Sequence, residues 1–155
     1  MVRTDSTRAE SDWTVPRFFR LLGSLGRLRV ISACGPSVFE ALCEVAPFSL
    51  EGGFLNIVTP AYHWHLASDR IRVLRSHDTT HARSGRRVLF FELREQSEAA
   101  PFLRIYLHRE KGVDFAPEIL ARFLEAHAAL GEGLVLARES GSDPLTPSAS
   151  VVPAP

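Results

Sequence analysis

Apolar residues recur along this chain with two different spacings, which divide it into a helical start, a run of strands and a helical end. Near the start, apolar side chains recur at intervals of three and four, which predicts a helix over 14–25: Phe18, Leu21, Leu22 and Leu25. From residue 27 to 108 the period is two. This alternation predicts about seven strands, at 28–33, 38–44, 54–58, 62–66, 71–75, 87–93 and 102–107. The run 38–44 also fits the beginning of a helix.

A second helical stripe predicts a helix that begins near Pro117 and stops before Gly131; its members are Ile119, Leu120, Phe123, Leu124, His127 and Leu130. The turns between strands are too short for crossover helices of about a dozen residues, so we expect antiparallel pairing. The predicted fold class is α+β, one curved antiparallel sheet with helices at the two chain ends. Polar composition predicts disordered ends at 1–13 and 137–155, around one domain at 14–136.

Composition narrows the function classes without naming one. The 155 residues include 18 Lys plus Arg and 18 Asp plus Glu, so the formal net charge is zero. A neutral chain lacks the charge expected of a nonspecific nucleic-acid binder, and its apolar runs are well short of the roughly 20 residues of a membrane span. Cys34 and Cys43 form neither a metal-spacing motif nor a disulfide framework, which suits a reducing cytoplasm.

The stretch 62–66 carries the most informative side chains. On a strand, His63 and His65 share one face, while Tyr62, Trp64 and Leu66 share the other. Two neutral imidazoles on one face can ligate a metal, and they can equally be polar residues on the solvent side of a half-buried strand. The opposite aromatic residues suit a core or the wall of an apolar pocket.

Other polar residues give weaker indications. His77 and His81 have helical zinc-site spacing, but their polar surroundings at 76–85 favour a mobile loop between strands, acting as a lid. Arg70 and Arg72 are expected on one face of the strand that follows the histidines. Arginines beside an aromatic wall can anchor carboxylates, although each one alone also fits a solvated surface.

The order of several short motifs resembles the intracellular heme-utilisation carriers of the HutX/ChuX type. Gly53-Phe54-Leu55-Asn56-Ile57 followed by His63-Trp64-His65-Leu66 is similar to their glycine–aromatic–asparagine segment and His-x-His. The stretches 88–92 and 102–110 are similar to their paired-phenylalanine strand and the strand that follows it. The same features are also similar to each half of the larger HemS-type hemin transport and degradation proteins.

This resemblance implies a cytoplasmic, homodimeric heme carrier or storage protein in bacterial heme-iron uptake. It would exchange heme with a transporter or a degrading enzyme, without nucleic-acid binding or membrane insertion. By motif position, His65 is the first candidate for the iron ligand and His63 the second, within an apolar cleft along the sheet. The candidate pocket or core aromatics are Tyr62, Trp64, Phe54 and Phe91, and Arg72 or Arg75 would face a propionate. Two alternatives stay open: a HemS-type heme-degrading enzyme, and a dimeric interaction module without heme.

Overall fold

Two antiparallel sheets turn their apolar faces toward one core, and the computed structural model describes residues 12–138. Within this range the helices are α1 (Val15–Gly23) and α2 (Pro117–Leu130), with a short 3-10 helix at Ser68–Arg70. The strands are β1 (Leu28–Cys34), β2 (Ser37–Cys43), β3 (Ser49–Glu51), β4 (Phe54–Val58), β5 (His63–Ala67), β6 (Val73–Thr80), β7 (Arg87–Arg94), β8 (Leu103–Leu107) and β9 (Leu134–Val135).

The strands form a six-stranded sheet in the order β2-β1-β8-β7-β6-β9 and a three-stranded sheet in the order β3-β4-β5. Every pairing among the described residues is antiparallel, which confirms the predicted fold class. The single predicted sheet is divided into two. Strands β3 and β9 were not predicted, because two or three residues are too few to show a period.

The helices form where the sequence supplies both an apolar stripe and end signals. Helix α1 begins after Thr14, whose side-chain oxygen accepts a hydrogen bond from the backbone N–H of Arg17 at 3.3 Å. Helix α2 begins at Pro117 and ends at Leu130, as predicted. Gly131 follows it with a φ of 54°, a conformation that glycine adopts without steric cost.

Aromatic rings join the helices to the large sheet across the core. The Phe91 ring on β7 lies 5.2 Å from Phe18 of α1 and 5.0 Å from Phe123 of α2, measured between ring centroids, and all three are fully buried. Truncating one such ring to alanine typically costs about 3–5 kcal/mol. The three-stranded sheet adds Leu55 and Ile57 to the same core. The outer faces of both sheets therefore point away from it.

The polar segment 76–80 is a strand and not the predicted loop or lid. Strand β6 continues to Thr80, with His77 opposite Phe90 and Thr80 opposite Arg87 on β7. Asp78 accepts two hydrogen bonds from the Arg87 guanidinium, at 2.8 and 2.6 Å, so its polarity is satisfied across the strands. His81 lies in the turn after the strand, bonded to Ser84.

Arg70 and Arg72 do not share a strand face as predicted. Arg70 belongs to the short 3-10 helix and Arg72 precedes β6, because the chain crosses from one sheet to the other between them. The segment proposed as strand or helix, 38–44, is strand β2 at one edge of the large sheet. Val38 and Phe39 on this edge are 70% and 65% exposed.

The two ends of the described chain meet. The backbone N–H of Ala137 donates to the carbonyl of Trp13 at 2.8 Å, so both residues belong to the folded part although the sequence analysis placed them in disordered ends. The remainder of those predicted ends, 1–11 and 139–155, lies outside the described residues. Within 12–138, neither helix has the length and apolar character to cross a membrane.

Candidate functional site

Strand β5 separates the predicted site residues onto two faces. His63 and His65 are exposed on its outer face, while Trp64 and Leu66 pack against the core. Tyr62, just before the strand, also packs inward, and its hydroxyl bonds both the N–H and the carbonyl of Glu44, at 3.0 and 2.9 Å. Burial raises the pKa of Tyr62. The two aromatic residues therefore support the strand from within and do not lie beside the imidazoles.

The His65 imidazole is oriented by Asn56 on the neighbouring strand. Asn56 lies directly opposite His65, and its side-chain oxygen is 2.6 Å from Nδ1 of His65. The Asn56 amide nitrogen donates to the carbonyls of Phe54 and Glu51, at 3.2 and 3.5 Å. Since this nitrogen must face those carbonyls, the oxygen must face His65, and Nδ1 must carry the proton. Nε2 of the neutral ring is then an unprotonated nitrogen with a lone pair.

Apolar side chains flank this imidazole on an open surface. We call it the histidine face, defined by Phe54, Asn56, Val58, His63 and His65, which share the outer side of β4 and β5. Phe54 and Val58 are 45% and 57% exposed, and the two imidazole centroids are 6.3 Å apart. The sequence analysis expected an apolar cleft around the histidines. The structure instead places them on an exposed face, because β5 belongs to the three-stranded sheet and only the inner side of that sheet packs against the core.

The remaining predicted residues lie elsewhere. Arg75 is on the outer face of the six-stranded sheet, where its guanidinium donates to the carbonyl of Ser97 at 3.2 Å. Arg72 is half-buried before β6, and its backbone bonds Arg94 and Leu136. Phe91 is fully buried in the core. The structure thus brings His63, His65 and Phe54 together and gives Arg75 a different sheet and partner.

A second group of polar and aromatic residues escaped the sequence analysis. On the outer face of the six-stranded sheet, the ring of Phe90 stacks between His77 and Tyr106, with centroid distances of 4.5 and 4.7 Å. Register explains the stack, because these residues are direct neighbours on β6, β7 and β8. The alternation within 87–93 already placed Phe90 opposite to Phe91, but the register between the successive strands β6, β7 and β8 was needed to reveal the stack.

Beside these rings lies a buried carboxylate, and we call its surroundings the Glu92 clamp: Glu92, His77, Arg94 and Arg104. Oε2 of Glu92 accepts a hydrogen bond from Arg94 at 2.8 Å, and Oε1 accepts one from Arg104 at 3.0 Å. Nε2 of His77 lies 3.2 Å from Oε2. Burial opposes ionisation of Glu92. The two arginine hydrogen bonds and the charge of His77 outweigh that effect and lower its pKa to about 2.

Comparison with known proteins identifies solved structures of the same fold, but no protein family to which the chain can be assigned. No family model matches the chain, and no curated protein matches it. Among solved structures, a protein from Agrobacterium tumefaciens has a TM-score of 0.62 and 18% identity, over 73% of this chain and 64% of that one. The chain therefore spans less than two thirds of that protein.

Two further solved structures with this fold are of proteins that bind or degrade heme. The heme binding protein ChuX has a TM-score of 0.59 at 14% identity, over 75% of this chain and 72% of ChuX. The heme degrading enzyme ChuS of Escherichia coli O157:H7 has a TM-score of 0.54 at 18% identity, over 71% of this chain and 32% of ChuS. The chain shares the fold of these proteins, as the resemblance in its motifs implied.

Proposed function

We propose that this protein binds heme through Nε2 of His65 and acts as a cytoplasmic carrier or storage protein in bacterial heme-iron uptake. The observation that carries the proposal is the Asn56 contact, 2.6 Å from Nδ1 of His65, which leaves Nε2 as the ligating nitrogen. Iron-ligating histidines typically donate their other ring N–H to such an acceptor, which fixes the tautomer and the ring orientation. The fold shared with the heme binding protein ChuX supports the choice of ligand.

The histidine face fits one side of a porphyrin. Heme combines an apolar macrocycle with an iron that needs an axial ligand, and the face offers an imidazole between the exposed side chains of Phe54 and Val58. Residues 12–138 contain no cluster of three or more His, Cys, Asp or Glu that could hold a metal ion. A porphyrin supplies four ligands itself, so a single imidazole is sufficient.

His63 and His65 project from the same side of one strand, so a macrocycle lying on the face meets only one of them as an axial ligand. Only His65 has the Asn56 contact, which favours it as the ligand and leaves His63 beside the macrocycle. Tyr62, Trp64, Arg72 and Arg75 take no part in this arrangement. Tyr62 and Trp64 pack inward, and Arg75 bonds Ser97 on the other sheet.

The exposure of the histidine face leads to a proposal about assembly. A flat surface covers one side of a porphyrin and leaves the other in water, which is costly for an apolar macrocycle. We infer that a second copy of the chain covers that side, giving a homodimer in the heme-bound state. Size-exclusion chromatography with and without hemin tests this inference. We expect a dimer with hemin, and a monomer under both conditions would contradict it.

An absorption titration with hemin tests the binding proposal. We expect a saturable Soret shift for the parent protein and a loss of at least about tenfold in affinity for His65→Ala, since the axial bond is removed. His81→Ala is the matched control, because His81 is an exposed histidine in the turn after β6, away from the histidine face. Equal titrations for the parent and His65→Ala would contradict the proposal. A flat titration of the parent would favour an interaction module without heme.

The fold shared with ChuS makes heme degradation the second candidate. In that case the same histidine face would hold heme as a substrate, and the electrons would come from an external donor. Incubating the heme complex with ascorbate in air separates the two functions. A carrier keeps its Soret band over the time in which free hemin is unchanged, whereas a degrading enzyme loses the band and releases a ring-opened product.

A further inference from the structure

A basic cleft lies at one end of the six-stranded sheet, apart from the histidine face. It has a volume of about 530 Å³ and is formed by the start of β7 and the loop that follows β8. Four cations line it, Arg86, Arg87, Arg109 and Lys111, together with one carboxylate, Asp114. The whole chain carries equal numbers of basic and acidic residues, so this concentration of positive charge is local.

Two of the four cations are held in place by contacts within the fold. Arg87 is fixed by its paired hydrogen bonds to Asp78. The Arg109 guanidinium donates to the carbonyl of Arg87 at 2.7 Å and lies 4.2 Å from the centre of the Phe115 ring. Its side chain is only 15% exposed. A guanidinium held in this way loses little conformational freedom when it binds an anion.

The nearby carboxylates neutralise the cleft only in part. Asp78 pairs with Arg87, one of the four lining cations, whereas Glu110 lies 3.3 Å from Nε2 of His108. Asp114 is fully exposed and 4.0 Å from Arg109, the limit of an ion pair. Arg86 and Lys111 are exposed and have no ion-pair partner among residues 12–138. Positive charge therefore remains free to attract a ligand.

We propose that this cleft binds a small molecule bearing a di- or triphosphate group. Guanidinium groups match the geometry of phosphate oxygens with paired hydrogen bonds, and several cations around one cleft favour a ligand with several negative charges. The volume lies within the range of about 300–1,000 Å³ that is usual for small-molecule sites, and it is larger than a single phosphate needs. The site is independent of the proposed heme binding.

Isothermal titration calorimetry of pyrophosphate into the heme-free full chain tests the proposal. We expect saturable binding at low salt that weakens as salt is raised, because the contact is between charges. The double variant Arg86→Gln/Lys111→Gln removes two exposed cations without touching the bonded pair beneath. We expect it to bind pyrophosphate more weakly by about tenfold or more. Arg83→Gln, an exposed arginine of the adjacent turn outside the cleft, is the matched control and should bind like the parent.

Parallel titrations define the class of ligand. Tighter binding of ATP than of pyrophosphate would indicate a nucleotide, and equal binding would indicate that the phosphates alone are recognised; both support the proposal. Binding of the dicarboxylate succinate as tightly as pyrophosphate would overturn the assignment to phosphate. Absence of saturation by pyrophosphate up to about 10 mM, or equal affinity of the parent and the double variant, would overturn the site itself.

Discussion

The outer faces of the two sheets both carry histidine, aromatic and polar side chains, yet they use them in opposite ways. On the large sheet, His77 stacks on Phe90 and its Nε2 faces Glu92, which also binds two arginines. On the small sheet, His65 has one partner at Nδ1, and its second nitrogen is left exposed. The first arrangement directs its charged groups at one another within the fold, although Nε2 of His77 and Nε of Arg94 make no hydrogen bond of good geometry with any residue of 12–138. The second keeps one nitrogen available for a ligand.

This difference shows that the contacts of a histidine side chain indicate its role better than the place of that histidine in a sequence motif does. Both imidazoles lie on strands next to aromatic residues, and both have a polar neighbour. A neighbour that accepts from one nitrogen prepares the other for coordination, whereas a carboxylate facing the outward nitrogen turns the ring into an ion-pair partner. We therefore expect substitutions in the Glu92 clamp to change stability, and substitutions on the histidine face to change heme affinity.

The largest expected effect is on stability, from Glu92→Gln. This substitution removes the negative charge of Glu92, which Arg94, Arg104 and His77 all face. Removing one partner from a buried ionic interaction costs about 3 kcal/mol in the free energy of unfolding. Urea denaturation at pH 7 measures it. Glu95→Gln is the matched control, because Glu95 pairs with Arg70 at the exposed surface and should change stability by less than about 1 kcal/mol. Equal losses of stability in the two variants would contradict the distinction between a buried and an exposed carboxylate.

The Glu92→Gln variant also tests how the free energy of unfolding depends on pH. The pKa of Glu92 is lowered from 4.5 to about 2 in the folded protein, so its stabilisation is complete above 4.5 and is lost as the pH falls toward 2. At pH 3 less than about half of it remains. We expect the stability difference between the parent and Glu92→Gln to shrink accordingly between pH 6 and pH 3. A difference that stays constant over this range would show that the charge of Glu92 is not its source.

A smaller effect is expected on the histidine face, from Asn56→Ala. Without the Asn56 oxygen, His65 loses the contact that fixes its tautomer, and heme affinity should fall by about tenfold with little change in stability. Asn56→Asp keeps an acceptor oxygen for Nδ1–H but loses the hydrogen bonds to the carbonyls of Phe54 and Glu51, so it should bind hemin more tightly than Asn56→Ala at some cost in stability. If both variants bind hemin like the parent, orientation of His65 by Asn56 does not matter for binding.

The smallest effect is expected from His63→Ala. His63 shares the face but lacks the Asn56 contact, so we expect less than about threefold loss of hemin affinity in the same absorption titration. A loss equal to that of His65→Ala would reverse the assignment of the ligand. It would also show that the Asn56 contact does not distinguish the two imidazoles of this face in heme binding.

Local patterns in the sequence predicted much of this architecture. Helix α2 was predicted to its ends, because an apolar stripe lies between a proline and a glycine. The common face of His63 and His65 followed from strand alternation. In contrast, the polar residues 76–80 show no apolar alternation, and they form a strand because β7 supplies partners such as Arg87 for Asp78. That interaction depends on pairing, which alternation does not reveal.

The parts of the site that were not predicted also depend on pairing between strands. Asn56 could be recognised as the partner of His65 only from the register of β4 and β5. The grouping of Arg75 with the histidines assumed one continuous sheet. The chain instead changes sheets between β5 and β6, a change that no period in the sequence marks. The Glu92 clamp likewise joins Glu92 to Arg104 through the register of two successive strands, β7 and β8.

The hydrogen bond between Trp13 and Ala137 has a consequence for how the chain can be rearranged. The first and last segments of the folded part, at Trp13 and Ala137, are adjacent, so a short peptide could join them. The hairpin turn at Gly85 offers a place for new termini. A circular permutant of this kind would keep the strand pairs of both sheets. The order in which the elements are synthesised is therefore separable from the architecture that they build.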